Sequence, residues 1–201
     1  MTTSSRGNET VLRQFAQRIP KIYNESFQNE NSDHVVGLQE IRHQLEQWSK
    51  RLIEEEMMPE SAQEIVENLN LEKLSARGCT LMLLDFTPDN VFIYKDSIAF
   101  IDPWRQSTYI GSPIPSLGQF IALAKIYELP GISEVVNNLV VTAHEVGEKI
   151  GLTAKKAQLQ LELGTSLQLL LSAFARRNKN PSQAKAFSQE AYGLIRKITH
   201  E

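Results

Sequence analysis

From His34 to about Met57 the apolar residues Val35, Leu38, Ile41, Leu45, Trp48, Leu52 and Ile53 recur every three or four positions. That period puts them on one stripe of an α-helix, and a stripe this long has to be covered by other elements. Ser32 or Asp33 offers an N-cap and Pro59 ends the pattern. The same spacing predicts a helix over Val11 to Phe27, kinked or split in two at Pro20, and another over Glu60 to Leu74 carrying Ile65, Val66 and Leu69 inward. After Pro115 it predicts four more, at about Ser116–Glu128, Ile132–Ile150, Thr153–Arg177 and Pro181–Thr199, broken at Gly131 and Gly151. A chain of 201 residues reads as one domain over 11–201, preceded by a flexible polar tail over 1–10.

The texture changes between the two helical blocks. Thr80 to Leu84 is a short apolar run suited to a buried strand. Asp85-Phe86-Thr87-Pro88-Asp89-Asn90 is a polar loop. Val91 to Tyr94 and Ile98 to Ile101 are rich in β-branched and aromatic residues and read as two strands joined by Lys95-Asp96-Ser97. Pro103, Gly111, Pro113 and Pro115 then mark a long loop. The predicted fold is mainly α with a small β-hairpin, an α+β class.

With three loop residues the simplest register pairs Tyr94 with Ile98, Phe92 with Phe100 and Val91 with Ile101, which sets Asn90 opposite Asp102. Directly opposed side chains share a face, with Cβ atoms about 4.5–5.5 Å apart. Two hard oxygen donors held that close suit Mg²⁺. Asp85, in the loop entering the same hairpin, is placed to accept a proton from a hydroxyl. Each of these residues also has an ordinary use, since Asp and Asn beside a proline are common turn formers.

Leu84-Asp85-Phe86-Thr87-Pro88-Asp89-Asn90-Val91, followed by Phe100-Ile101-Asp102-Pro103-Trp104-Arg105, resembles the aminoglycoside phosphotransferase family of the protein-kinase-like fold. The resemblance implies a kinase-like C-terminal lobe, with Asp85 as the catalytic aspartate, Asn90 and Asp102 as metal ligands, and Mg²⁺ and ATP as cofactors. Members of that family commonly carry His-Gly before the catalytic aspartate, where this chain has Leu83-Leu84. They also carry an aspartate where it has Ser116. No glycine-rich phosphate loop occurs in residues 1–80, so an N-terminal lobe is not recognisable.

Composition narrows the partners. A net charge of -3 gives no reason to expect nucleic acid or an anionic membrane surface. The longest apolar stretch, near Leu167 to Ala175, is broken by Gln168 and Ser172 and is too short to span a bilayer. The first ten residues lack the apolar segment of a signal peptide, and Cys79 is the only cysteine, so a cytoplasmic setting is expected.

Three functions fit. The first is phosphoryl transfer to a small-molecule hydroxyl, completed by a missing lobe. The second is a non-catalytic kinase-like module whose cleft is covered by a protein partner or a second copy. The third is an all-helical interaction domain in which the hairpin is incidental.

Overall fold

A computed structural model describes residues 14, 16–23, 25, 35–76, 80–83, 91–94, 97–100, 108–128 and 131–201, and for 35, 36, 80–83, 91–94, 97–100 and 108–110 the backbone alone. The tail expected over 1–10 lies outside them. In chain order the elements are α1 (16–23), α2 (Val35–Glu54), α3 (Ser61–Glu67), α4 (Leu71–Leu74), β1 (Thr80–Leu83), β2 (Val91–Tyr94), β3 (Ser97–Phe100), β4 (Thr108–Gly111), α5 (Ile114–Ile126), α6 (Ile132–Lys149), α7 (Ala154–Arg176) and α8 (Pro181–His200).

Side-chain caps explain several helix starts. Asn70 Oδ1 accepts from the Lys73 amide at 3.2 Å, Thr153 Oγ1 from the Lys156 amide at 3.3 Å, and Asn180 Oδ1 from the Gln183 amide at 3.2 Å. The first of these splits the single helix expected over Glu60 to Leu74 into α3 and α4, because Asn70 leaves helical geometry to serve as the cap. Proline is tolerated in the first turn of both α5 and α8, where its missing N–H has no partner to lose.

Two buried clusters form the core. One draws Leu38, Ile41, Leu45 and Leu52 of α2 together with α3, α4 and α8 against Leu159, Leu163, Leu167 and Leu170 of α7. The other joins Ala16, Ile19 and Tyr23 of α1 to α5 and α6 and to Ala157 and Leu161 of α7. Alternate faces of α7 therefore serve different clusters, which is why its apolar residues run all round rather than in a stripe. At the α2–α7 edge the rings of Trp48 and Phe174 lie 5.0 Å apart and tilted 57° to one another. The Arg177 guanidinium lies 3.7 Å from the Phe174 ring and its Nε donates to Glu55 at 3.3 Å.

α5 is buried along nearly its whole length and crosses α7 at main-chain contact distance. A Cβ on Gly164 would fall 1.8 Å from the Pro115 carbonyl oxygen, and one on Gly118 2.1 Å from that of Leu161. Thr165 Oγ1 donates to the Gly118 carbonyl at 3.2 Å across the same crossing.

The strands pair antiparallel two by two, β1 with β4 and β2 with β3. The expected α+β class, a kinase-like C-terminal lobe carrying a β-hairpin, is corrected by this architecture. Of the residues with described side chains 81% are helical. The four-residue strands make two separate pairs with no continuous sheet. A two-stranded pair that short is marginal by itself, so the helices carry the fold. No helix among the described residues is long and apolar enough to cross a membrane.

The glycines make two opposite predictions for stability. Gly164→Ala is expected to lower unfolding free energy by at least about 2 kcal/mol, since the clash is with main chain that cannot rotate away. Gly193→Ala, in α8 with nothing within 4 Å of its would-be Cβ, is expected to raise it by about 0.5–1 kcal/mol. Urea unfolding of the two variants checks both signs.

Burial pushes the Tyr23 hydroxyl well above the usual phenol value of 10.0. The folded chain keeps a proton that the unfolded chain releases, so stability is unaffected below pH 10 and falls above it. The expected slope is about 1.4 kcal/mol per pH unit. Denaturant titrations between pH 9 and 11.5 should show that slope in the natural chain, reduced in Tyr23→Phe.

Candidate functional site

The strand pairs define the frame around the residues singled out by their chemistry. In the first pair Leu83 stands opposite Thr108, and in the second Val91 stands opposite Phe100. Segments 84–90 and 101–107 therefore both run from one strand pair to the other. The first carries Asp85 and Asn90, the second Asp102. These three residues lie outside the described residues.

The register between β2 and β3 differs from the expected one by a single position. Tyr94 pairs with Ser97, Ile93 with Ile98, Phe92 with Ala99 and Val91 with Phe100. Ser97 joins its strand and leaves two residues between the paired ends, the connection length that antiparallel pairs most often use. A slip of one residue exchanges the faces of a strand. The placement of Asn90 directly opposite Asp102, which required Tyr94 opposite Ile98, does not follow from the observed register.

β4 falls where Gly111 and the nearby prolines predict a loop. The signal that marks it is the β-favouring run Thr108-Tyr109-Ile110 just before Gly111. Through β4 the frame is tied into the helical core. Ser112 Oγ donates to Gln160 Oε1 of α7 and itself accepts from the Ile114 amide at 3.4 Å. Gln160 Nε2 donates to the Leu74 carbonyl at 2.6 Å. One fully buried glutamine thus links the end of α4, the element preceding β1, to the chain just after β4. Neither Gln160 nor Ser112 stands out in the sequence; a single glutamine set between Leu159 and Leu161 is the trace they leave.

α5 leaves this frame directly and also touches β1. Ser116, which stands where the resembling family has an aspartate, is fully buried, and its hydroxyl makes no hydrogen bond among the described residues. Gln119 Oε1, one turn on, is likewise buried without a partner among the described residues. The position therefore offers neutral, unsatisfied oxygens in place of a charged anchor. Among the described residues no group of three His, Cys, Asp or Glu side chains could hold a metal ion, and Asp85 and Asp102 are not among those residues.

Gln160→Leu is expected to cost about 1–3 kcal/mol, because it strands the buried Leu74 carbonyl and Ser112 hydroxyl together. Thermal and urea unfolding measure the loss, and Ser112→Ala in the same background should then cost little more.

No family model, no curated protein and no solved structure matches the chain.

Proposed function

We propose that the chain is the acceptor-side part of a phosphotransferase with ancestry in the aminoglycoside phosphotransferase family, moving phosphate from ATP to the hydroxyl of a small molecule. Asp85 serves as general base for that hydroxyl, and Asn90 with Asp102 ligate Mg²⁺. The metal supplies neutralisation of phosphate charge, and the carboxylate at Asp85 orients the hydroxyl and takes its proton. The phosphate-covering element comes from another chain or another segment of polypeptide, and the setting is cytoplasmic.

One observation carries the reading. The pairing of β1 with β4 and of β2 with β3 gives segments 84–90 and 101–107 a common origin and a common destination. Base and metal ligands then belong to two segments that join the same two strand pairs, and Gln160 ties the flanks of the first pair, β1 with β4, to the core.

A second reading is favoured by the helical architecture and by Ser116 and Leu83-Leu84. In it the chain is a non-catalytic helical interaction domain, and Asp85, Asn90 and Asp102 are turn formers.

A thermal-shift experiment separates the two. With Mg²⁺·ATP at about ten times its dissociation constant, a bound state gains about 1.4 kcal/mol. For a chain of this size that raises the melting temperature by roughly 3–6 °C. The phosphotransferase reading expects that rise, its loss in Asp102→Asn and Asn90→Ala, and its persistence in Asp85→Asn. No rise at millimolar Mg²⁺·ATP, for the chain alone and with a partner chain that supplies the phosphate-covering element, removes it in favour of the interaction domain, as does a rise indifferent to Asp102→Asn and Asn90→Ala.

A further inference from the structure

The N-terminal end of α7, the short helix α4 and the last turn of α8 enclose a cavity of about 250 Å³. Leu74, Leu159 and Ile198 are its apolar floor, each no more than 7% exposed. Lys73, Lys155 and Lys156 stand around it. Its lining residues all come from outside segments 84–90 and 101–107, so this cavity is independent of the phosphotransferase reading.

The placement of these lysines works against the helix that carries two of them. The first turn of an α-helix presents free N–H groups and the positive end of its dipole, which favours acidic residues there. α7 has no acidic residue in its first turn and instead has Lys155 and Lys156. Lys73, from a different helix, adds a third cation to the same space. Lys73 and Lys156 have no carboxylate within ion-pair distance among the described residues. Lys73 suits the last turn of α4, and Lys155 is paired with Glu201. Lys156 is therefore the one cation at a helix start without a partner among the described residues, a broken local rule of the kind found where a site is kept for a ligand.

The chain itself shows what chemistry the rim accepts. The Glu201 carboxylate is paired with Lys155 at the cavity edge. Its hydrogen bond to Lys155 and the charges of Lys155 and Lys197 hold it below the usual carboxylate range. Both side chains of that pair remain well exposed, 65% for Lys155 and 37% for Glu201, so an external carboxylate exchanges with Glu201 at little cost.

We propose that this cavity binds a small aliphatic carboxylate, its chain on Leu74, Leu159 and Ile198 and its headgroup on Lys73, Lys155 and Lys156, with Glu201 as an internal competitor. The volume suits a short chain rather than a drug-sized ligand. Apolar floor and cationic rim together select against both an uncharged alkyl compound and a bare inorganic anion.

Calorimetric titration of the full chain with hexanoate, 1-hexanol and inorganic phosphate tests the assignment. Hexanoate is expected to bind at a single saturable site, with the alcohol and phosphate each at least about tenfold weaker. Lys73→Ala and Lys156→Ala should each weaken hexanoate about fivefold, the size of one partly exposed ion pair. Glu201→Gln should tighten it about threefold by releasing Lys155. Opposite signs from lysine and glutamate variants are what a merely structural role would not give, and circular dichroism melts confirm that each variant folds. The proposal is overturned by 1-hexanol or phosphate binding as tightly as hexanoate. It is equally overturned by lysine variants that leave binding unchanged, by Glu201→Gln failing to tighten it, or by no saturable binding at millimolar ligand.

Discussion

The approach of α5 to α7 is set by main-chain atoms at Gly118 and Gly164, and that approach fixes where the other helices can lie. Side chains can trade volume with their neighbours, but a carbonyl oxygen under 3 Å from a would-be Cβ leaves nothing to trade. With the two backbones that close, α5 is enclosed along most of its length and α7 is left with two faces to cover. α1 and α6 close one side, and α2, α3, α4 and α8 close the other. The Thr165 hydroxyl on the Gly118 carbonyl adds direction to a contact that apolar packing alone would leave free to slide.

Polar groups inside this helical core do the same for rotation that the glycines do for distance. Ser166 donates back to the Glu162 carbonyl at 2.7 Å, a bond within α7 that frees the helix from needing a polar partner there. Gln160 is different, because its amide reaches out to Leu74 on one side and Ser112 on the other. Turning α7 by even a fraction of a turn would leave three buried polar groups unpaired, so the network specifies one azimuth for the central helix. The unsatisfied Ser116 and Gln119 oxygens show that the interior does not meet this standard everywhere.

Much of the helical architecture is legible because burial on one face imposes a period that survives in the residues themselves. The stripe Leu38, Ile41, Leu45, Leu52 marks α2, and its members are among the most buried side chains in the chain. Where sequence and structure part, a short-range choice decides the outcome. Asn70 as a cap outweighs continued periodicity and divides the helix over Glu60 to Leu74. The partner of β1 is β4, about 30 residues further on, and pairing over that distance leaves no local trace beyond three β-favouring residues. The β2–β3 register turns on whether Ser97 belongs to the turn or to the strand, a choice of small energy with a large geometric effect. Of the candidate site, the residue types and their spacing can be read in advance. The frame that ties their segments together cannot, because it depends on β4 and on Gln160.

α7 belongs to both buried clusters, and this governs how the molecule can come apart. Two clusters with separate elements would open separately, giving amide hydrogens two distinct exchange regimes. A shared central helix removes that independence, since exposing either face of α7 also strips the neighbouring cluster of its packing against α7. α3 and α4, which are short and lie at the edge, retain the freedom to fray alone. The slowest-exchanging amides then belong to the middle of α7 and to α5 against it, and the free energy that protects them is that of global unfolding rather than of any local opening.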